Sequence, residues 1–182
     1  MCHALLQDPA FFLLLLRIDE ELAAERRAGG CACGGVLHSA RYPRKPRGCP
    51  RQVREHYRWR FSFCCARCNQ RATPVSVRFL GRRVYVAVVL SLVSPHGSAT
   101  EHRLMRALNL SARTLNRWRT WWQRDFLRTA LWQSMRARFD TPVCPDGLPQ
   151  SLLERFDAPG AAQQQVLMLR FLTPLTARAM ST

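Results

Sequence analysis

Apolar side chains recur at helical spacing near the start of the chain. Pro9 suits the first turn of a helix and Gly29-Gly30 marks an end, so the pattern predicts a helix over residues 9–27. Asp19 shares one face of this helix with four apolar residues, Phe12, Leu15, Leu16 and Leu22. We expect this face to pack against the rest of the fold or against another subunit.

From residue 30 to residue 80 the helical period is lost, and three short stretches favour β-structure: 36–38, 57–63 and 75–79. In the second stretch, aromatic residues alternate with other residues. The aromatic positions are Tyr57, Trp59, Phe61 and Phe63, and the positions between them are Arg58, Arg60 and Ser62. This alternation predicts a half-buried strand with one aromatic face and one largely basic face.

The remainder of the chain is predicted to be mostly helical. The apolar run over residues 84–93 has the β-branched content of a strand, but its length and the helical segments that follow it favour a buried helix. Residues 99–139 have a helical pattern that is broken at Asn109. A linker with proline and glycine and then two further helices follow, over residues 142–149, 151–156 and 161–172.

The composition shows that the chain is strongly basic. The 182 residues are 47% hydrophobic, which suffices for a core, but the chain is too short for a catalytic barrel of roughly 250 residues. The net charge is +16, and 27 of the 28 basic residues are arginine. Residues 41–83 hold 13 basic residues and one acid, Glu55. A GC-rich genome explains arginine in place of lysine but not the missing acids, so this stretch predicts a surface that binds a polyanion such as nucleic acid.

We expect a cytoplasmic, nucleoid-associated protein without a membrane partner. The apolar run over residues 10–16 is much shorter than a membrane span, and no basic stretch precedes it as in a secretory signal.

Eight cysteines are present, and short spacings in a chain without a predicted export signal favour metal binding over disulfides. Cys31-x-Cys33-Gly-Gly forms one half of a candidate site, and Cys65-x-x-Cys68 forms the other. Four thiolates on two tight turns provide the tetrahedral donor set of Zn²⁺, and they close its coordination shell. The cysteines therefore predict a structural zinc site in a zinc ribbon.

Alternatives to this ligand set stay open, because Cys31-x-Cys33 is one residue shorter than the usual Cys-x-x-Cys pair. Cys64 can take the place of Cys65. The other stand-in ligands are His38, Cys49 and His56.

Between the two cysteine pairs lies a basic arm, residues 41–48. Its prolines favour an extended chain from which basic side chains project, as in contacts along a phosphate backbone. The predicted phosphate contacts of this arm are Arg41, Arg44, Lys45 and Arg47.

Residues 100–122 fit a helix-turn-helix. Asn109 stands at the turn position that needs a left-handed backbone, and Ser111 is a good N-cap for the second helix. The positions that the motif requires to be apolar are occupied by Leu104, Leu108, Leu110, Leu115 and Trp118.

The second helix of this motif has two different faces. Leu115, Trp118 and Trp122 point towards the first helix, whereas the opposite face carries Arg113, Asn116, Arg117 and Thr120. Arginine and asparagine pair with guanine and adenine edges in the major groove, so the pattern predicts DNA recognition. Arg119 and Arg124 are predicted phosphate contacts, and Trp121 and Trp132 are predicted to pack in the core.

Motifs of catalysis are not found. There is no Gly-x-x-x-x-Gly-Lys-Ser/Thr loop for a nucleotide and no Gly-x-Ser-x-Gly turn for a nucleophile. The five acids after the helix-turn-helix lie in segments that predict helices and loops, not the sheet of a transposase nuclease. We expect no enzymatic activity.

Several motifs together resemble a known group of proteins. They are Cys-x-Cys-Gly-Gly-x-Leu-His (31–38), Tyr-Pro-Arg-Lys-Pro-Arg-Gly (42–48), Phe-Cys-Cys-x-x-Cys (63–68) and Ser-Val-Arg-Phe-Leu-Gly-Arg-Arg-Val-Tyr (76–85). They resemble small bacterial proteins described as transposases or transposase-associated, and the layout resembles the zinc-ribbon and helix-turn-helix front end of insertion-sequence transposases. The resemblance covers residues 30–125 and implies DNA binding at a mobile element without the catalytic domain.

The sequence thus predicts an α+β protein, with a small β zinc ribbon followed by a mostly α helix-turn-helix region and C-terminal helices. Its segments are an N-terminal helix (1–29), the ribbon with the basic arm (30–82), the helix-turn-helix (83–140) and the C-terminal helices (141–182). Expected partners are double-stranded DNA, a transposase and a second copy of the chain bound through the C-terminal helices. The alternatives are a transcriptional regulator and a zinc-ribbon module that binds RNA or protein.

Overall fold

The computed structural model describes residues 2–44, 48–80, 105 and 110–176. Within these residues the chain is mostly helical with small antiparallel sheets, which confirms the α+β class. Outside the described residues lie the predicted helix over 84–93 and three positions of the helix-turn-helix, Leu104, Leu108 and Asn109.

The N-terminal helix, α1 (Pro9–Ala28), agrees with its prediction. The side chain of Asp8 accepts a hydrogen bond from the Ala10 N–H, Pro9 occupies the first turn, and Gly29 caps the end. A 3-10 helix, Cys2–Gln7, precedes it. The predicted inward face is buried at Phe12, Leu15 and Asp19.

In the described part of the chain, five short strands form two antiparallel sheets. They are β1 (Leu37–Ser39), β2 (Tyr42–Pro43), β3 (Trp59–Arg60), β4 (Phe63–Cys65) and β5 (Arg71–Ala72). β4 lies between β1 and β5, while β2 pairs with β3. The register pairs Leu37 with Cys65, which brings the two cysteine-bearing turns to one end of the three-stranded sheet.

The single strand predicted over residues 57–63 is wrong. Tyr57 ends a 3-10 helix, Arg51–Tyr57, and the residues after it pair in two different sheets. Burial is the reverse of the prediction at two neighbouring positions, because Trp59 is 46% exposed and Arg60 only 3%. Arg60 lies inside because its guanidinium donates hydrogen bonds to the carbonyl oxygens of Pro74 and Thr176, groups that a local pattern does not reveal.

The strand predicted over residues 75–79 is wrong as well. Residues 77 and 78 bend, the N–H groups of residues 76–79 bond to side-chain oxygens, and Phe79 takes part only in an isolated β-bridge. Asp19 Oδ1 accepts from the Val77 N–H at 2.7 Å, and Ser76 Oγ accepts from the Arg78 N–H at 3.1 Å. Side-chain acceptors therefore replace the ladder that a strand would need.

A buried ion pair joins this bend to α1. Arg78 Nε donates to Asp19 Oδ2 at 2.7 Å, and Ser76 Oγ donates to the same oxygen at 2.6 Å. Arg78 and Asp19 are 0% and 2% exposed. A second nitrogen of Arg78 donates to the carbonyl oxygen of His56, so one guanidinium links α1, the 3-10 helix before β3, and the bend.

Residues 110–176 are mostly helical. The α-helices described there are α2 (Ala112–Thr120), α3 (Ala130–Met135), α4 (Gln150–Leu153) and α5 (Ala161–Leu172). α2 continues through a π-helical turn and a 3-10 turn to Thr129, whose extended backbone interrupts the pattern predicted to run on to residue 139. α5 confirms its predicted bounds, and α4 is shorter than predicted.

Two apolar clusters hold these elements together. The larger contains Phe12 of α1, Tyr57, Phe79, Trp118 of α2 and Leu169 of α5, so residues from all four predicted segments share it. The smaller joins Leu37, Phe63 and Cys65 of the sheet to Ala23 of α1. The cysteine-bearing sheet is thus packed on α1 by a small core of its own.

Candidate metal centre and nucleic-acid interface

Four cysteines converge at one end of the three-stranded sheet. The Sγ atoms of Cys31, Cys33, Cys65 and Cys68 all lie within 4.8 Å of one another, the one such group among the described residues. Cys31 Sγ is 3.5 Å from Cys68 Sγ, and Cys33 Sγ is 3.4 Å from Cys65 Sγ. A tetrahedral zinc with bonds of about 2.3 Å separates its sulfurs by roughly 3.8 Å, so the cluster has the size that a metal ion requires.

Two glycines close the turn that carries the first, shorter cysteine pair. The Gly34 N–H donates to the Cys31 carbonyl oxygen at 2.8 Å, and Gly34 has φ +77°. Gly35 follows with no room for a side chain, because a Cβ there would lie 2.5 Å from Cys65 Sγ. The two glycines therefore let a pair with only one intervening residue reach the second pair.

The second cysteine pair turns in a similar way. The Asn69 N–H donates to the Cys65 carbonyl oxygen at 3.0 Å, and Asn69 has φ +56°. In both halves the residue directly after the last cysteine is therefore left-handed, glycine in one and asparagine in the other. Asn69 was not among the residues predicted from the sequence, although its position directly after Cys68 is a signal for this turn.

Backbone N–H groups surround the sulfurs. Hydrogen bonds from the N–H groups of Cys68 and Arg67 lower the pKa of Cys65 to about 6. The Gln70 N–H lowers the pKa of Cys68, but hydrogen bonds with neighbouring thiols and burial outweigh it and raise that pKa to about 12. One thiolate thus forms readily, and full ionisation of four adjacent sulfurs calls for a cation among them.

None of the alternative ligands lies in this cluster. The Cys64 thiol instead donates towards the Asn69 carbonyl oxygen, and His38, its partner across the sheet, is exposed. Cys49 is buried in the main core, and His56 contributes its carbonyl oxygen to Arg78.

Gly35→Ala is expected to weaken metal binding by at least tenfold, because the new methyl group must displace Cys65 Sγ and the side chain of Arg67. Gly34→Ala is the matched comparison. Open space surrounds that position, so the cost there is left-handed backbone strain of about 1 kcal/mol. Competition with a chromophoric chelator measures both affinities, and an unchanged affinity in Gly35→Ala would contradict this geometry.

The basic stretch presents fewer charges at the surface than its sequence suggests. Arg60 and Arg78 are buried as structural donors, and Arg44 is partly buried. Arg41, one of the predicted phosphate contacts, is exposed, whereas Lys45 and Arg47 lie outside the described residues. The other exposed arginines between residues 48 and 80 are Arg51, Arg54, Arg58, Arg67 and Arg71.

α2 has the two faces that its sequence predicts. Ser111 caps it by accepting from the Thr114 N–H, and Leu115, Trp118 and Trp122 are buried. The four residues of the opposite face are exposed: Arg113, Asn116, Arg117 and Thr120. Of the two predicted phosphate contacts, Arg124 is exposed and Arg119 is partly buried, with its Nη1 donating to Asn116 Oδ1 at 2.9 Å.

The tryptophans near α2 pack as predicted. Trp132 is buried against Phe126, with ring centroids 5.2 Å apart. Trp121 packs against Trp122 and Phe126. Each of these rings therefore contributes to the core.

None of the helices in the described part of the chain combines the length and apolar character needed to cross a membrane. Comparison of the chain with models of protein families, with curated proteins and with solved structures finds no match.

Proposed function

We propose that this protein binds double-stranded DNA and that a structural Zn²⁺ ion folds its β region. α2 reads base edges in the major groove, and arginines of the basic arm contact phosphates. The protein acts in the cytoplasm at a mobile element, as an accessory to a transposase, and carries out no catalysis itself. The observation that carries the DNA proposal is the division of α2 into a buried face and an exposed face of arginine, asparagine and threonine.

The donor set supports zinc. Four sulfurs that lie within 4.8 Å of one another suit zinc, whereas magnesium and calcium prefer oxygen ligands. Four protein ligands leave no open position for water or substrate, so Cys31, Cys33, Cys65 and Cys68 would hold the ion in a structural role. The ion would tie the turn before β1 to the turn between β4 and β5, where the exposed Arg67 lies, and Arg71 follows on β5.

The relation to transposition rests on the motifs and their order along the chain. Cys-x-Cys-Gly-Gly (31–35) and Cys-x-x-Cys (65–68) precede a helix with an exposed polar face, as in the front end of the transposases that the sequence resembles. A second copy of the chain, bound through the C-terminal helices, would present two such faces to two half-sites.

Arg117→Ala is expected to cost about 1–3 kcal/mol of binding free energy on the preferred DNA site and to relax the preference at one base pair. The preferred site comes from selecting bound duplexes out of a random pool. Arg128→Ala is the matched control, since it removes the same charge from an exposed position beyond α2. A loss that is equal on all sequences would make Arg117 a phosphate contact.

Three further outcomes distinguish this proposal from the alternative functions. A preference for RNA over duplex DNA would contradict groove recognition by α2 and favour an RNA-binding module. Strand cleavage by the pure protein with Mg²⁺ or Mn²⁺ would overturn the proposal that it is not an enzyme. A selected site that lies at promoters rather than at the ends of a mobile element would indicate a transcriptional regulator.

A further inference from the structure

Tyr42 of β2 gathers two arginines from different parts of the fold. The guanidinium carbon of Arg44 lies 4.5 Å from the centre of the Tyr42 ring, and that of Arg71 lies 5.1 Å from it. Tyr42 is 43% exposed and Arg71 is exposed. The cation–π contacts hold two positive charges within roughly 10 Å of each other at the surface, against their mutual repulsion.

Hydrogen bonds fix the position of Arg71. Its Nη1 donates to the Ala40 carbonyl oxygen at 3.2 Å and to Ser62 Oγ at 3.4 Å. Arg71 lies on β5, opposite Cys64 of β4, so the sheet that carries the metal centre supplies one arginine of the pair. The other arginine, Arg44, directly follows β2, and its N–H donates to the Arg58 carbonyl oxygen at 2.7 Å.

This pair of arginines has no carboxylate in contact with it among the described residues. The two ion pairs of the described chain are Arg78–Asp19 and Arg58–Glu55, and neither includes Arg44 or Arg71. Burial lowers the pKa of Arg44, so its charge is partly withdrawn from water without a counter-ion. An anion bound to the two guanidinium groups would reduce the repulsion between them. It would also replace the hydration that Arg44 loses on burial.

We propose that Tyr42, Arg44 and Arg71 form a phosphate clamp for the backbone of duplex DNA. The proposal rests on the proposed function and adds two residues, Tyr42 and Arg71, to its interface. Two guanidinium groups held within roughly 10 Å of each other can each bind a phosphate on the same stretch of one strand. Arg71 thereby links the metal-bearing sheet directly to the DNA backbone.

The test is the salt dependence of duplex binding, because each phosphate contact contributes about 0.9 to the slope of log affinity against log salt. Arg71→Gln keeps a donor for Ala40 and Ser62 but removes the charge, and it should reduce the slope by about one. Tyr42→Leu releases both arginines and should reduce the slope by one to two, whereas Tyr42→Phe keeps the ring and the wild-type slope. Arg136→Gln removes an exposed arginine elsewhere and should also leave the slope unchanged.

The outcomes separate the clamp from DNA binding itself. Failure of the wild-type protein to bind any duplex would overturn the proposed function. Duplex binding with the wild-type slope in both Arg71→Gln and Tyr42→Leu would overturn the clamp alone. A slope that changes on single strands but not on duplexes would also overturn it. Zinc content is measured on every sample. If Arg71→Gln loses metal, the result is decided by Tyr42→Leu, because Tyr42 lies outside the three-stranded sheet.

Discussion

Cys33→Ser and Cys68→Ser are each expected to release the bound zinc and to unfold the region around β1, β4 and β5. Each variant removes one of the four sulfurs that lie within 4.8 Å of one another, and a serine hydroxyl does not ionise at neutral pH to replace it. The small apolar cluster beneath the site has five buried residues, too few to hold two cysteine-bearing turns together without metal. Binding free energies of about 10–16 kcal/mol are typical of structural zinc, so this loss is the largest that we expect from one substitution.

Cys64→Ser is the matched control for these variants. Cys64 adjoins Cys65 on the same strand, but its sulfur points to the Asn69 carbonyl oxygen rather than into the cluster. It should therefore retain one zinc ion per chain, as measured by elemental mass spectrometry, with an unfolding midpoint close to that of the wild-type protein. Full zinc retention by Cys33→Ser or Cys68→Ser would contradict the ligand assignment.

Asp19→Asn is expected to destabilise the protein by about 3–5 kcal/mol, because it leaves the buried Arg78 guanidinium without its counter-charge. The substitution also weakens the acceptor for Ser76 Oγ and the Val77 N–H, which position the bend that ends in Phe79. Urea unfolding followed by tryptophan fluorescence measures the loss. Glu20→Gln, one residue further along α1 and exposed, should change stability by no more than about 0.5 kcal/mol.

A double variant separates the charge from the packing. When Asp19→Leu is combined with Arg78→Met, both charges leave the core together, so the pair should be less damaging than either single substitution. A loss below 1 kcal/mol in Asp19→Asn would show that water or another group compensates Arg78. In that case the ion pair would not be what anchors the bend to α1.

Local signals in the sequence identified most of the candidate metal centre. The spacing of the four cysteines and the glycines after Cys33 lie within two short turns, and turn chemistry depends on immediate neighbours. The same holds for α1 and α2, where proline, glycine and the Ser111 cap mark the ends and a helical period marks the buried face. The size of the sulfur cluster and the exclusion of Cys64, His38, Cys49 and His56 needed the register of β1 with β4.

The stretch from Tyr57 to Phe79 shows where local reasoning fails. Local residue types predicted two strands here, the first of them by alternation, but Arg60 and Arg78 are held inside by hydrogen bonds to oxygen atoms far away in the sequence. Hydrogen bonding and charge pairing at that separation override the period-two pattern, because a buried arginine needs its acceptors wherever the fold supplies them. Arg60 and Arg78, which the sequence pattern places on a basic surface, therefore stabilise the interior.

The sequence by itself determined the four cysteines, the helices α1 and α5 and the concentration of arginine between residues 41 and 83, since each depends on residue type and short spacing. The tertiary structure alone decided which arginines are structural and which are exposed. Arg78 pairs with Asp19 across 59 residues, Arg60 reaches Thr176 across 116, and Arg71 and Arg44 both lie over the ring of Tyr42. Such pairings depend on how distant segments pack, so the charge pattern became a defined surface only in the folded chain.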